Sequence, residues 1–257
     1  ADDRFQSLRK GMEKAAKKWN VDLVVDAPYL SGNAAEQEAA IEEAVENGAQ
    51  AVITVPADQV QMEKFLDQSK LQVPVITLEK ELHSEKKFGA YIYDSEKAAK
   101  KLARAVLEEK KDASVALYAS DVSAKETANC LDILEKELED GGCTVIRRQY
   151  RQGFEIEGEV VVAADPYTFS QIVNLQKIPD RLYGIGCSNK MLTLLEEGKV
   201  CAAVICNEYD KGYLSVEAAM KSIQNGTRQR TVKMEQVLVR QENLYDKEYE
   251  ALLFPIS

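Results

Sequence analysis

The stretch Gly198–Met220, GKVCAAVICNEYDKGYLSVEAAM, changes character twice along its length. Val200–Cys206 (VCAAVIC) is a short apolar run without the in-out alternation of a strand that has one wet face. Asn207–Asp210 (NEYD) turns polar at once, and from Lys211 onward apolar residues recur at helical spacing. A strand buried on both faces that hands over to a helix belongs to a parallel sheet covered by helices on both sides. Cys201 and Cys206 are then packing residues. Asn207, Glu208, Tyr209 and Asp210 stand at the carboxyl edge, where open parallel sheets and barrels both place their binding groups.

The same beat continues in both directions. Upstream, Phe5, Leu8, Met12, Ala15, Ala16 and Trp19 are spaced as a helix, followed by VDLVVDA (21–27) as a strand. A helix over 33–48 is expected to be capped by Asn33 and stopped at Gly48. AVITVPAD (51–58), VPVITLEK (73–80) and GAYIYDS (89–95) read as strands, as do ASVALYAS (113–120), CTVIRRQ (143–149), EVVVAAD (159–165) and RLYGIGC (181–187). Amphipathic segments separate them, and TVKMEQVLV (231–239) is the last strand. The alternation predicts α/β architecture with parallel sheets; on count alone a TIM barrel is also possible.

The chain has 257 residues, 45% of them apolar and 30% charged, which is globular composition. Its net charge of -10 opposes contact with polyanions. The basic spots at 147–152 and 227–233 are short and come with no recognition motif, so no nucleic-acid partner is expected. No apolar run approaches the ~20 residues of a membrane span, so no direct membrane insertion by this segment is expected. The opening ADDRFQ is no signal peptide.

Cys130, Cys143, Cys187, Cys201 and Cys206 form no CxxC pair, and His83 is the only histidine, so no metal site is expected. GIGCSNK (184–190) lacks both the Walker pattern and the three-glycine dinucleotide fingerprint, and no cofactor is expected. His83 has no evident serine or cysteine partner. Carboxylates such as Glu79 and Asp94 suit acid–base work, but they suit hydroxyl recognition equally, and no catalytic residues are assigned.

The order and spacing of these segments resemble the type I periplasmic binding proteins, especially the ribose and galactose binders and the ligand-binding cores of LacI-type repressors. RFQSLRKGMEKAAKKWNVDLVV, AVITVPAD, VPVITLEKEL and YIYDSEKAAKKLARAVL carry the resemblance, and 189–226 carries it most closely. The closing ENLYDKEYEALLFPIS is similar to tails of Gram-positive members, some membrane-attached and associated with two-component sensing. The resemblance implies two Rossmann-like lobes joined by three crossovers: residues 1–93 with 208–237, and 94–207 with 238–257. It implies a small polar solute, most simply a sugar, bound between them for ABC uptake or signalling. The expected location is extracytoplasmic, secreted or anchored through a segment outside this chain, with an ABC permease or membrane sensor kinase as partner.

Carried over residue by residue, the site implied is Phe5, Glu79, Lys80, Asp94, Lys125, Asp165, Tyr167, Ser188, Asn207 and Tyr209. Several of these depart from the sugar-binding pattern. Glu79 and Lys80 replace aspartate and arginine, and Lys125 replaces arginine. Ala164 precedes Asp165 where asparagine is usual, Gly186 replaces a pocket aspartate, and Asn207 replaces glutamine. Only Phe5 remains of an aromatic pair. Each unmet sugar hydroxyl costs about 1–3 kcal/mol. The alternative expectation is therefore an interaction or sensor module with a degenerate cleft. Family members also open with a strand before the first helix, whereas this chain opens at the helix. That strand is expected from residues outside the chain, from a partner, or from a rearranged sheet.

Overall fold

The computed structural model describes residues 4–26, 33–120, 122, 125–247, 249 and 253; much of the closing stretch lies outside them. The chain begins with α1 (Arg4–Trp19), α2 (Ala34–Glu46), β1 (Val52–Thr54), α3 (Gln59–Gln68), β2 (Val75–Leu78) and β3 (Lys87–Tyr93). It continues through α4 (Ser95–Glu109), β4 (Ser114–Ala119), α5 (Lys125–Asp140), β5 (Thr144–Gln149) and β6 (Val160–Ala163). Next come α6 (Pro166–Val173), β7 (Leu182–Ile185), α7 (Asn189–Glu196) and β8 (Val200–Cys206). The last elements are α8 (Glu208–Asn225), β9 (Thr231–Met234), β10 (Gln236–Val239) and a 3-10 turn at Gln241–Asn243. These form two compact units, one of Phe5–Tyr93 with Glu208–Met234, the other of Asp94–Asn207 with Glu235 onward. The chain passes between them after Tyr93, Asn207 and Met234.

In the first unit the sheet order is β1-β2-β3-β9, every pair parallel. Two separate sheets exclude the barrel. On one face α2 and α3 enclose Ile41, Val52, Met62, Leu66, Leu71, Val75 and Leu82. Each of these helices starts on a side-chain cap: Asn33 accepts from the Glu36 N–H at 3.3 Å and Asp58 from the Gln61 N–H at 2.7 Å. Helix α8 packs against β1, β2 and β3, and α1 meets α8 backbone to backbone. A Cβ on Gly11 would sit 2.0 Å from the Tyr209 carbonyl oxygen, and one on Gly212 would sit 2.0 Å from that of Leu8. Two glycines, one per helix, allow that approach.

Two expectations are corrected here. Residues 21–26 join no ladder, and Val24 is 90% exposed. Among the described residues β1 has β2 on one side and no strand on the other, and residues 21–26 do not pair with that open edge. The single strand expected over 231–239 is two strands. β9 pairs parallel with β3 in the first unit, whereas β10 pairs antiparallel with β8 in the second, with Glu235 between them.

The second unit has the order β10-β8-β7-β6-β4-β5, with only β10 antiparallel. β6 and β7 are buried at every residue, and β8 is buried at five of its seven positions, as its unalternating sequence implies. Helices α6 and α7 cover one face through Phe169, Ile172, Met191 and Leu195, which pack with Ile205 and Val239. Helix α4 packs on β7, β8 and β10, with α5 alongside.

Candidate functional site

In the second unit the parallel strands β4, β6, β7 and β8 end at Ala119, Ala163, Ile185 and Cys206, so the residues that follow share one edge. Asp165 caps α6 there and is 7% exposed. Its carboxylate accepts from the Thr168 N–H at 2.8 Å and the Thr168 hydroxyl at 2.7 Å. It also accepts from the Ser120 N–H at 2.9 Å and the Ser120 hydroxyl at 3.2 Å. Four donors fill the acceptor capacity of a carboxylate. Asp94, also 7% exposed, caps α4 by accepting from the Lys97 N–H at 3.2 Å. Ser188 caps α7 by accepting from the Met191 N–H at 3.1 Å. These three predicted residues hold helix starts. Lys125 is exposed in the first turn of α5, and Asn207 is half-buried at the end of β8. Tyr167 is exposed and meets Tyr150 edge to face, ring centroids 6.5 Å apart. Burial, and secondarily Tyr167, raises the Tyr150 pKa.

In the first unit Glu79 and Lys80 follow β2. Glu79 has φ +66°, a left-handed conformation that few residues other than glycine adopt. Lys80 Nζ donates to the Ala57 carbonyl at 3.2 Å. Phe5 is 37% exposed in the first turn of α1, and Tyr209 is half-buried in the first turn of α8. The loop after β1 is held by Gln37, whose amide donates to Thr54 Oγ1 and the Val55 carbonyl and accepts from the Ala57 N–H. Lys211, only 2% exposed, was not among the residues the sequence singled out. Its Nζ lies 2.6 Å from Glu208 Oε2 and 3.8 Å from Glu79 Oε1. A signal was available: Lys211 is in helical phase with the buried Ser215, Ala218 and Ser222, so a charge stands on the face of α8 that packs inward. The predicted residues thus fall into two sets, Asp94, Lys125, Asp165, Tyr167, Ser188 and Asn207 in the second unit and Phe5, Glu79, Lys80 and Tyr209 in the first.

Cys130 and Cys143 are buried, and Cys187, Cys201 and Cys206 are half-buried. Cys130 is fully buried, and burial, reinforced by Asp165, pushes its thiol up to about 12. Burial and Glu109 likewise raise Cys201. Such thiols stay protonated and are poor nucleophiles. Among the described residues no group of three or more His, Cys, Asp or Glu side chains is placed to hold a metal ion. No described helix is long and apolar enough to cross a membrane.

A family model for the periplasmic binding protein domain matches residues 1–176. Solved structures resemble the chain over nearly its whole length. The glucose-galactose binding protein GanP of Geobacillus stearothermophilus aligns at 17% identity with a TM-score of 0.80, covering 95% of this chain and 94% of its own. A carbohydrate transporter solute binding protein from Agrobacterium radiobacter, in complex with D-arabinose, aligns at 18% identity and a TM-score of 0.80, covering 97% and 94%. An ABC transporter solute binding protein from Bacillus halodurans, with bound myo-inositol, aligns at 16% identity and a TM-score of 0.80, covering 97% and 94%. No curated protein matches the chain.

Proposed function

Because this chain belongs to the periplasmic binding protein domain family, and has the type I fold of that family, we propose that it is a non-enzymatic receptor for a small, polyhydroxylated solute of the sugar class. The observation that carries the reading is the placement of polar and aromatic side chains at the carboxyl ends of parallel strands in both units. Asn207, Lys125 and Tyr167 follow strands of the second unit and Glu79 and Lys80 follow β2 of the first, while Phe5 and Tyr209 stand in the first turns of α1 and α8. In this reading the solute is held in a cleft by groups from both edges. Carboxylate, amide and ammonium groups exchange hydrogen bonds with its hydroxyls, and an aromatic ring covers its apolar face. A solute that contacts both units better when they are close selects the closed arrangement. The D-arabinose and myo-inositol complexes of similarly folded proteins support the choice of solute class. The receptor acts outside the cytoplasm and delivers its solute to an ABC permease or reports it to a membrane sensor kinase.

A thermal-shift screen of D-galactose, D-glucose, D-arabinose and myo-inositol tests this. A solute at 100 times its Kd stabilises the protein by about 2.7 kcal/mol. The Asn207→Ala variant should lose most of that shift. One observation favours a second reading, an interaction module that contacts a permease or kinase without binding a solute. Asp94, Asp165 and Ser188 are committed to helix caps. A flat screen with an intact fold would select it.

A further inference from the structure

Lys211 is the most deeply buried charged side chain among the described residues, and it stands in the first turn of α8, where the helix dipole disfavours a cation. Placing an ammonium there is strongly unfavourable unless carboxylates compensate it. Glu208 does so from the same turn, with both oxygens within 2.8 Å of Nζ. Glu79 does so from the end of β2, held in its left-handed conformation. Strained backbone at such a position marks a geometry that the surroundings enforce. The exposures are unequal: the side chains of Glu79 and Glu208 are 33% and 22% exposed, and that of Lys211 is 2% exposed. Solvent therefore meets two carboxylates with the ammonium behind them, and the three groups together carry one net negative charge.

We infer that Lys211, acting through Glu79 and Glu208, is a positioning residue that sets the charge selectivity of the solute site. The cluster admits neutral polyols and amino sugars and rejects sugar acids and sugar phosphates. This rests on the reading that the carboxyl edge of the first unit binds the solute. The carboxylates offer acceptors to hydroxyl and ammonium groups and repel other anions. Without Lys211 the same two carboxylates would lose its positive charge, which favours a cationic solute still more.

The test is calorimetric titration of the intact chain and of two variants with D-galactose, D-galactosamine and D-galacturonate, and with the three matching glucose compounds. Lys211→Met takes the cluster from one negative charge to two. Glu79→Gln takes it to zero and keeps Lys211 paired with Glu208, so it serves if the first variant does not fold. A unit charge about 6 Å from a solute in a half-exposed site alters affinity about tenfold. The intact protein should bind the acid at least about tenfold more weakly than the neutral sugar. Lys211→Met should raise the amine-to-neutral affinity ratio about tenfold, and Glu79→Gln should lower it by a similar factor. A merely structural role cannot move that ratio in opposite directions. If a neutral sugar binds and the ratio stays within about twofold in the folded variants, the selectivity inference is overturned and the receptor reading stands. If none of the six compounds binds the intact protein, this inference falls, and if D-arabinose and myo-inositol also fail to bind, the receptor reading falls with it.

Discussion

Asp165→Ala separates a ligand-facing carboxylate from a structural one. The substitution removes the acceptor for two N–H and two hydroxyl groups, those of Ser120 and Thr168. Thr168 is fully buried, so its donors find no water in exchange. Loss of the cap alone costs about 1 kcal/mol. Each hydrogen bond to an ionised acceptor is worth about 1.5–3 kcal/mol, and a buried donor left without an acceptor costs about 1–3 kcal/mol. These contributions share one carboxylate and do not add fully, so the expected loss is about 3–4 kcal/mol, or a melting temperature roughly 6–16 °C lower. Asp165→Asn keeps one acceptor for the Thr168 N–H but turns an amide donor toward Ser120, and should lose about half as much. Urea unfolding followed by far-ultraviolet circular dichroism reads the effect. Trp19, the single tryptophan, lies in the first unit and reports that unit separately by its emission. An Asp165→Ala protein within about 0.5 kcal/mol of the parent, yet weakened in sugar binding, would show that the carboxylate faces a solute and would refute the assignment.

Gly212→Ala places a methyl group 2.0 Å from the Leu8 carbonyl oxygen and 3.1 Å from the Met12 nitrogen. Because backbone cannot rotate away, α1 and α8 must separate, at about 3 kcal/mol. Gly48→Ala is the control: nothing lies within 4 Å of the added carbon, and only the positive φ of +98° opposes it, for about 1 kcal/mol. Thermal melts of the two variants should differ in that order. Glu81 supplies an acid-range prediction. Hydrogen bonds from Thr231 and from Lys87, the latter at 3.2 Å, lower its pKa below the usual glutamate value of 4.5. A depressed folded-state pKa contributes stability above the unfolded value, and that stability is lost as pH falls through the folded one. Glu81→Gln should therefore flatten the acid limb of the stability profile below about pH 4.5, measured by melts from pH 3 to pH 7.

The part of the fold most legible in sequence was the set of strands buried on both faces. VCAAVIC and the VVVA of β6 lack alternation because helices cover both sides of their sheet, and both are central strands. TVKMEQVLV carries no mark of its division, since pairing on either side of Glu235 uses the same extended backbone. The candidate site was legible as a set of positions, because the carboxyl edge follows from the direction of the strands. What each side chain does there was not. An aspartate that ends a strand is also the residue type that caps the next helix. Asp94 and Asp165 each precede a helix by one residue, and choosing between cap and ligand contact requires knowing which donors lie within reach.

Residues 21–26 show why local preference stops short of structure. VDLVVD holds as many valines as the VVVA of β6. In β6 all four residues are buried between β4 and β7, whereas in 21–26 Val24 is 90% exposed and Val25 48% exposed. The difference is a ladder. β-branched side chains gain from a pleated surface only when cross-strand neighbours are present to pack against, and a lone extended segment leaves its N–H and C=O groups to water. A hydrophobic run therefore becomes a strand only where it enters a ladder, and residues 21–26 enter none although one side of β1 carries no described strand. Entry into a ladder is a property of the whole sheet, and no reading of the run itself supplies it. Lys211 is the same lesson for a charge: Glu208 in its own turn pairs with it, and a strand end distant in sequence brings a second carboxylate, that of Glu79, within 3.8 Å.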